Sequence, residues 1–275
     1  MLRTLKKLEN FTIGATDGEI GSVKDFYFKD DTWVVRYLVV ETGSWLVNRK
    51  VLVSPISVKH LDWSGHTLAV SISREQVKNS PAFDSQKPVS LQNEELYMGH
   101  YGYSNYWGGG GLWGAGLYPY AVAPGFDPYS VDPAERERET HAYMRSERVR
   151  RQNEDPHLRS CNFVTGHHIR ATDGEIGHVS GFLIDDETWE IRYLIVDTSN
   201  WWVGHKVLVA PIWVKEVNWS SQTVAVDLGR EAIKTAPAYD PSADLSHEHE
   251  MALFRHYGYK GDWPVNRGSK PNPDV

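Results

Sequence analysis

Ala15-Thr-Asp-Gly-Glu-Ile-Gly21 occurs a second time, unchanged, as Ala171-Thr-Asp-Gly-Glu-Ile-Gly177. The offset that superimposes the two stretches also carries Arg36-Tyr-Leu onto Arg192-Tyr-Leu and Lys50-Val-Leu-Val53 onto Lys206-Val-Leu-Val209. It continues without a gap through Trp63 and Trp219 and through Pro81-Ala82 and Pro237-Ala238. It ends at His100-Tyr-Gly-Tyr103 and His256-Tyr-Gly-Tyr259. About 45 of about 96 aligned positions are identical, so the chain is an internal duplication. A unit of this length is too long for a solenoid repeat and has the size of a small domain.

The duplication sets the organisation: a first repeat over 1–103, a connecting segment over 104–159, a second repeat over 160–259 and a tail over 260–275. The connection opens with Gly108-Gly-Gly-Gly111, Leu112-Trp-Gly-Ala-Gly116 and Tyr118-Pro-Tyr120, which have neither helical nor strand period. It then turns to alternating charge, as in Glu135-Arg-Glu-Arg-Glu139, suited to a short exposed helix or a solvated strap. A flexible spacer is the plain reading, and an adhesive aromatic segment is the alternative.

Strand signals dominate each repeat. Asp17-Gly18 and Asp173-Gly174 lie between β-prone segments and predict a tight hairpin with positive φ. Glu190 and Arg192 alternate with Ile191, Tyr193 and Ile195, which places one face of that strand initially in water, whereas Leu194 and Val196 farther along imply burial on both faces. Further strands are expected over 50–54, 58–63 and 67–72, divided by Pro55 and by Trp63-Ser-Gly65. Ser73-Arg-Glu-Gln76 has capping-box spacing, and Pro81 ends the short helix that it opens. Gly229 replaces the serine in the second copy and leaves Glu231 to meet the helix dipole.

These features resemble the PRC-barrel domain, shared by the photosynthetic reaction-centre H subunit and the ribosome maturation factor RimM. The matching stretches are Ala15–Gly21, Trp33–Glu41, Lys50–Pro55 and Ser73–Asp84, each with its counterpart. The pattern covers about 70 to 75 residues of each copy. The resemblance implies a mainly β fold of two small, bent antiparallel barrels, each closed by a short helix and used for docking or assembly. It implies no catalysis. An H subunit carries a membrane-spanning helix before its barrel and a ribosome maturation factor carries a different N-terminal domain; this sequence shows neither. Free-standing tandem PRC-barrel proteins of bacteria are the better match.

Composition narrows the function classes. A net charge of −7 does not suggest a basic face for nucleic acid, and the single cysteine, Cys161, excludes an internal disulfide. No apolar window approaches the roughly 20 residues of a membrane-spanning helix, and a cytoplasmic protein is expected. No glycine-rich phosphate loop opens a helix, and no cofactor is expected. Asp17, Glu19, Asp173 and Glu175 read as turn carboxylates before they read as acid–base pairs. His167-His168 and His247-Glu-His-Glu250 have metal-ligating side chains without a recognisable site spacing, and a solvated polar tail is the plainer reading of the latter. Cys161 has no histidine partner in sequence, and an incidental thiol is expected.

Trp45, Lys50, Trp201, Trp202 and Lys206 flank glycine- or asparagine-bearing turns, where a tryptophan can anchor a partner or simply fill the core. The expected function is a non-catalytic interaction or assembly module for an unidentified protein partner. Two alternatives stand beside it: a membrane-peripheral subunit of an electron-transport assembly, and a metal binder using His247, His249 and the neighbouring glutamates. Each repeated His-Tyr-Gly-Tyr tail is expected to pack back on its own barrel or across onto the other, and barrels that packed together would form a pseudo-twofold pair resembling a fused homodimer.

Overall fold

The computed structural model describes residues 1–83, 89, 91–107, 111–124, 158–199, 206–243 and 245–259. The first copy supplies β1 (Leu2–Thr4), α1 (Leu5–Leu8), β2 (Thr12–Ala15), β3 (Gly18–Lys29), β4 (Val34–Glu41), β5 (Lys50–Val53), β6 (Val58–Asp62), β7 (Thr67–Val70), α2 (Arg74–Lys78) and α3 (Leu91–Tyr101). The second supplies β8 (Leu158–Ser160), α4 (Cys161–Val164), β9 (His168–Ala171), β10 (Gly174–Asp185), β11 (Ile191–Asp197), β12 (Lys206–Val209), β13 (Val214–Asn218), β14 (Thr223–Val226), α5 (Arg230–Lys234) and α6 (His247–His256). Element follows element in the same order, as the duplication requires.

Each copy is mainly β. The strands form two seven-stranded sheets, ordered β5-β4-β3-β2-β7-β6 and β12-β11-β10-β9-β14-β13, with one further strand on each. Two expectations are corrected here. The hydrogen-bonded path is open, ending at β5 and β6 in one sheet and β12 and β13 in the other, so no ladder closes either barrel among the described residues. The sheets are also not wholly antiparallel, because β2 runs parallel to β7 and β9 parallel to β14. Parallel neighbours need a long crossover, and the strands between β2 and β7 provide it.

Bending has identifiable causes. Register shifts interrupt β3 against β4 between Val23 and Asp25 and between Tyr27 and Phe28, and bulges of this kind turn a strand. Gly21 sits at φ 154° under the end of β4, where a Cβ would come within 1.9 Å of the Glu41 carbonyl oxygen. Gly177 repeats this at φ 152° and 2.2 Å from the Asp197 oxygen. The last glycine of each repeated heptapeptide is therefore a backbone crossing point that no side chain fits.

The core follows from the strand pattern. Ile13, Ile20, Val23, Phe28, Leu38, Val40, Val53 and Leu68 are fully buried, and Ile169, Ile176, Val179, Leu194, Val196 and Val209 match them in the second copy. Burying each such side chain is worth about 1.5–3 kcal/mol. The expected wet start of β11 is not found, since Glu190 is buried and Arg192 half-buried, whereas the burial on both faces expected farther along is, with Tyr193 through Val196 all buried. Strands covered on both faces lose the simple alternation.

The helices show what the sequence promised and more. Ser73 Oγ accepts from the Gln76 amide at 3.1 Å, and Gln76 Oε1 accepts from the Ser73 amide at 2.9 Å, completing the capping box. Gly229 opens α5 without a side-chain cap. The supposed polar tail at His247–Glu250 is instead the first turn of α6, with Ser246 Oγ accepting from the His249 amide. His100 Nε2 lies 2.8 Å from the Gln76 carbonyl oxygen, and His256 Nε2 lies 2.7 Å from that of Ala232. Each His-Tyr-Gly-Tyr tail is thereby tied to the short helix of its own copy.

The chain divides into two compact units. One is built on the second copy and includes Met1–Lys7; the other is built on the first copy and includes β8 and Glu187–Glu190. In the first of these β1 pairs with β10, Leu2 opposite Asp185 and Thr4 opposite Leu183. In the other β8 pairs with β3, Lys29 opposite Leu158 and Tyr27 opposite Ser160. Each sheet is thus completed by the opening strand of the other repeat.

Candidate interaction site

The segment between β4 and β5 holds the first of the sequence-predicted anchors. Gly43–Leu46 form a 3-10 turn, and Val47 and Asn48 follow at φ 54° and 52°. The loop is closed by the Asn48 amide donating to the Gly43 carbonyl at 2.7 Å and by Thr42 Oγ1 donating to the Arg49 carbonyl at 2.9 Å. Arg49 then reaches the carbonyls of Lys78, Ser80 and Pro81, which fixes the loop against the end of α2.

Trp45 is half-buried and turned inward. Its Nε1 donates to the Ile20 carbonyl at 2.6 Å, and the Arg74 guanidinium lies 4.3 Å from its ring centroid. The exposed apolar group of this loop is Val47, at 89% exposure, with the exposed Lys50 beyond it. Sequence reasoning chose the tryptophan and passed over the valine. A β-branched residue in the left-handed region is strained, and only the closed loop reveals that conformation. Trp201 and Trp202 lie outside the described residues. Lys206 is half-buried at the start of β12, where its carbonyl accepts from the Tyr239 amide.

Of the hairpin carboxylates, the two aspartates are structural. The connection between β2 and β3 turns on Thr16–Asp17, one residue earlier than the expected Asp17–Gly18 pair, and Gly18 opens β3 at φ 138°. Asp17 Oδ1 accepts from the Arg74 amide at 2.7 Å, and Asp173 Oδ1 accepts from the Arg230 amide at 2.7 Å. Each aspartate therefore satisfies an otherwise open donor at the start of the short helix, a use that explains its place in the repeated heptapeptide. Gly174 repeats the backbone of Gly18, at φ 139°.

A second constellation was not foreseen: an Arg-Tyr-Glu cluster in each copy, buried in the first and half-buried in the second. In the first, the Glu94 carboxylate accepts from the Tyr37 hydroxyl at 3.2 Å and, over a short contact, from the Tyr106 hydroxyl. The Arg36 guanidinium lies 3.9 Å from the Tyr106 ring centroid and 4.4 Å from that of Trp113. In the second, Glu250 accepts from Tyr193 at 2.8 Å and from Arg192 at 3.1 Å. Tyr37 and Glu94, like Tyr193 and Glu250, stand 57 residues apart with three strands between them, so no local spacing announces the cluster.

Burial dominates the electrostatics of the cluster. Desolvation lowers the Arg36 pKa, against the opposing pull of Tyr106 and Glu94. Desolvation, then the Glu94 charge, raises the Tyr37 hydroxyl well above its ordinary range, and the same causes raise Tyr193 through Glu250. Hydroxyls held protonated in this way serve as hydrogen-bond donors and are poor bases. Arg36 and Glu94 are 2% and 0% exposed, whereas the side chains of Arg192 and Glu250 are 15% and 17% exposed. Tyr106 and Trp113 of the connecting segment cover the first cluster. Tyr106, Trp107, Trp113, Pro119 and Val122 are all buried, and the Pro119–Val122 turn packs on the Pro55–Ser57 turn. In its described part the connection is therefore a packed clasp on the first copy, which corrects the reading of a simple spacer; the Arg/Glu run lies outside the described residues.

The metal candidates are separated. His167 is buried and His168, its neighbour at the start of β9, is exposed. Glu250 is engaged by Arg192 and Tyr193, and among the described residues no three His, Cys, Asp or Glu side chains come together as a metal set. Cys161 is a buried free thiol at the start of α4.

No family model matches the chain. A protein of Deinococcus radiodurans, described as uncharacterized, is 29% identical to it over 79 residues. That alignment spans 29% of this chain and 28% of the relative. Among the described residues no helix is long and apolar enough to cross a membrane.

Proposed function

We propose that the chain is a non-catalytic interaction or assembly module of tandem PRC-barrel type, engaging a protein partner through the Trp45–Lys50 loop. The observation that supports this reading is Val47, an apolar side chain almost fully exposed at the tip of a closed loop and held at φ 54°. Left-handed backbone costs a non-glycine residue on the order of 1–2 kcal/mol. Strain of that kind persists where the surrounding structure holds it, and it collects at recognition sites. Trp45, tied to the Ile20 carbonyl and covered by Arg74, stiffens the loop behind the presented valine.

A non-catalytic reading agrees with the chemistry of the polar groups. The turn aspartates cap helices, and the Arg36-Tyr37-Glu94 cluster is sealed in the core of the first copy. Trp201, Trp202 and Lys206 extend the proposal to the second copy on the basis of sequence.

A photo-crosslinking residue at position 47, expressed in the native cell, tests the proposal. A specific adduct at position 47, absent at the exposed Lys59 and weakened by Lys50→Glu, is the expected result. An adduct found only with the cytoplasmic fraction agrees with a cytoplasmic role, whereas one found with a membrane protein favours the membrane-peripheral alternative. Equal labelling at 47 and 59 would overturn the loop as the contact site.

A further inference from the structure

The opening strand of each repeat is short, yet it carries the same side-chain logic twice. Leu2-Arg3-Thr4 and Leu158-Arg159-Ser160 occupy the same register on β10 and β3, respectively. Arg3 Nε lies 3.7 Å from Asp186 Oδ2, and Arg159 Nε lies 3.3 Å from Asp30 Oδ2. Asp30 and Asp186 are counterparts in the duplication, as are Arg3 and Arg159. Ser160 Oγ adds a 2.6 Å hydrogen bond to Asp25 Oδ2. Leu158 and Arg159 are buried, and so is Thr4.

Beyond the partner-binding reading, we propose that this edge is a recognition surface whose partner is the opening strand of another repeat of the same kind. Within one chain, the two repeats exchange these strands in cis. A repeat without such a donor strand leaves residues 27–29 of β3, or 183–185 of β10, without the ladder that covers them here. Unpaired buried strand groups are costly, and an open edge recruits another strand. The Arg–Asp pair adds selection, since the acceptor carboxylate waits one residue past the paired segment of β3 or β10. The leucine fixes the face on which the strand lies.

The test uses the full chain with a specific protease site inserted between Thr140 and His141. After cleavage the two pieces are expected to elute together, at the mass of one intact chain by light scattering. A Leu2→Cys, Asp185→Cys variant of the same chain places thiols on directly opposed positions. On mild oxidation it is expected to run as a monomer before cleavage, and its two pieces are expected to stay covalently joined afterwards. Chains carrying either new cysteine alone, with Cys161 present, should release their pieces under denaturing conditions. Separation of the pieces under native conditions would overturn the proposal, as would pieces that stay together without forming the Leu2→Cys/Asp185→Cys link. Disulfide-linked dimers of whole chains would overturn the cis arrangement.

Discussion

At the scale of single residues, His167 shows how one substitution between copies becomes a pH response. Its counterpart is Phe11, which packs edge-on against Trp63 at 5.4 Å. His167 keeps that role beside Phe163 and Trp219, at 5.1 and 6.3 Å, and its Nε2 is buried without a hydrogen-bond partner. Burial first, and then the charge of His168, lowers its pKa from the ordinary 6.5. A histidine with a depressed folded pKa binds its proton more readily when unfolded. Its stabilising share is therefore complete above about 6.5 and is lost as pH falls through the lower folded value. His167→Phe is expected to remove this acid limb, leaving the second repeat less sensitive between pH 7 and 5. Urea midpoints across that range measure the effect; an unchanged slope would show that the imidazole is not buried as described.

At the scale of elements, the copies reach the same packing by different partners. Just before the Pro55–Ser57 turn the Ser54 amide donates to the hydroxyl of Tyr97 on α3, whose ring packs on Tyr101 and Tyr103 at 4.7 and 6.4 Å. Tyr97 also donates to the Leu52 carbonyl. In the second copy Trp213 replaces Ser57 and Leu253 replaces Tyr97. The Trp213 ring then packs on Tyr257 and Tyr259, counterparts of the same two tyrosines, at 4.5 and 5.6 Å. One large side chain has moved from the helix to the turn. Trp213→Ser is expected to cost about 3–5 kcal/mol, as a large aromatic lost from a core does. Adding Leu253→Tyr should recover part of it. A double-mutant cycle read by chemical denaturation should give coupling on the order of 0.5–3 kcal/mol; strict additivity would show that the sites do not share a cavity.

At the scale of the whole molecule, the segment after the first repeat belongs to that repeat's structure. Trp113 is fully buried, donates through Nε1 to the Thr188 carbonyl at 2.9 Å, and stacks over Arg36. A desolvated cation–π contact is worth about 2 kcal/mol, and the indole adds its buried area. Trp113→Ala is expected to open residues 111–124 to limited proteolysis well before the strands are cut. Cleavage at the same rate as in the unaltered chain would contradict the clasp. The same scale holds the exchange of β1 and β8 described above.

The sequence by itself determined much: the duplication, the mainly β class, the strands after Lys50 and the capping box at Ser73. These are local statements, carried by spacing within a few residues or by identity between copies. The positions of Trp45 and Lys50 on one loop were legible in the same way, but the presentation of Val47 was not, because a left-handed valine arises from loop closure and not from propensity. Only the tertiary structure decided that Arg36 meets Glu94, that Tyr106 and Trp113 cover them, that β2 lies parallel to β7, and that β1 and β8 cross to the opposite repeat. A three-residue strand fits two equivalent edges with the same register and the same aspartate. Its own pattern holds no information about which edge it takes; connectivity and burial along the whole chain supply that choice.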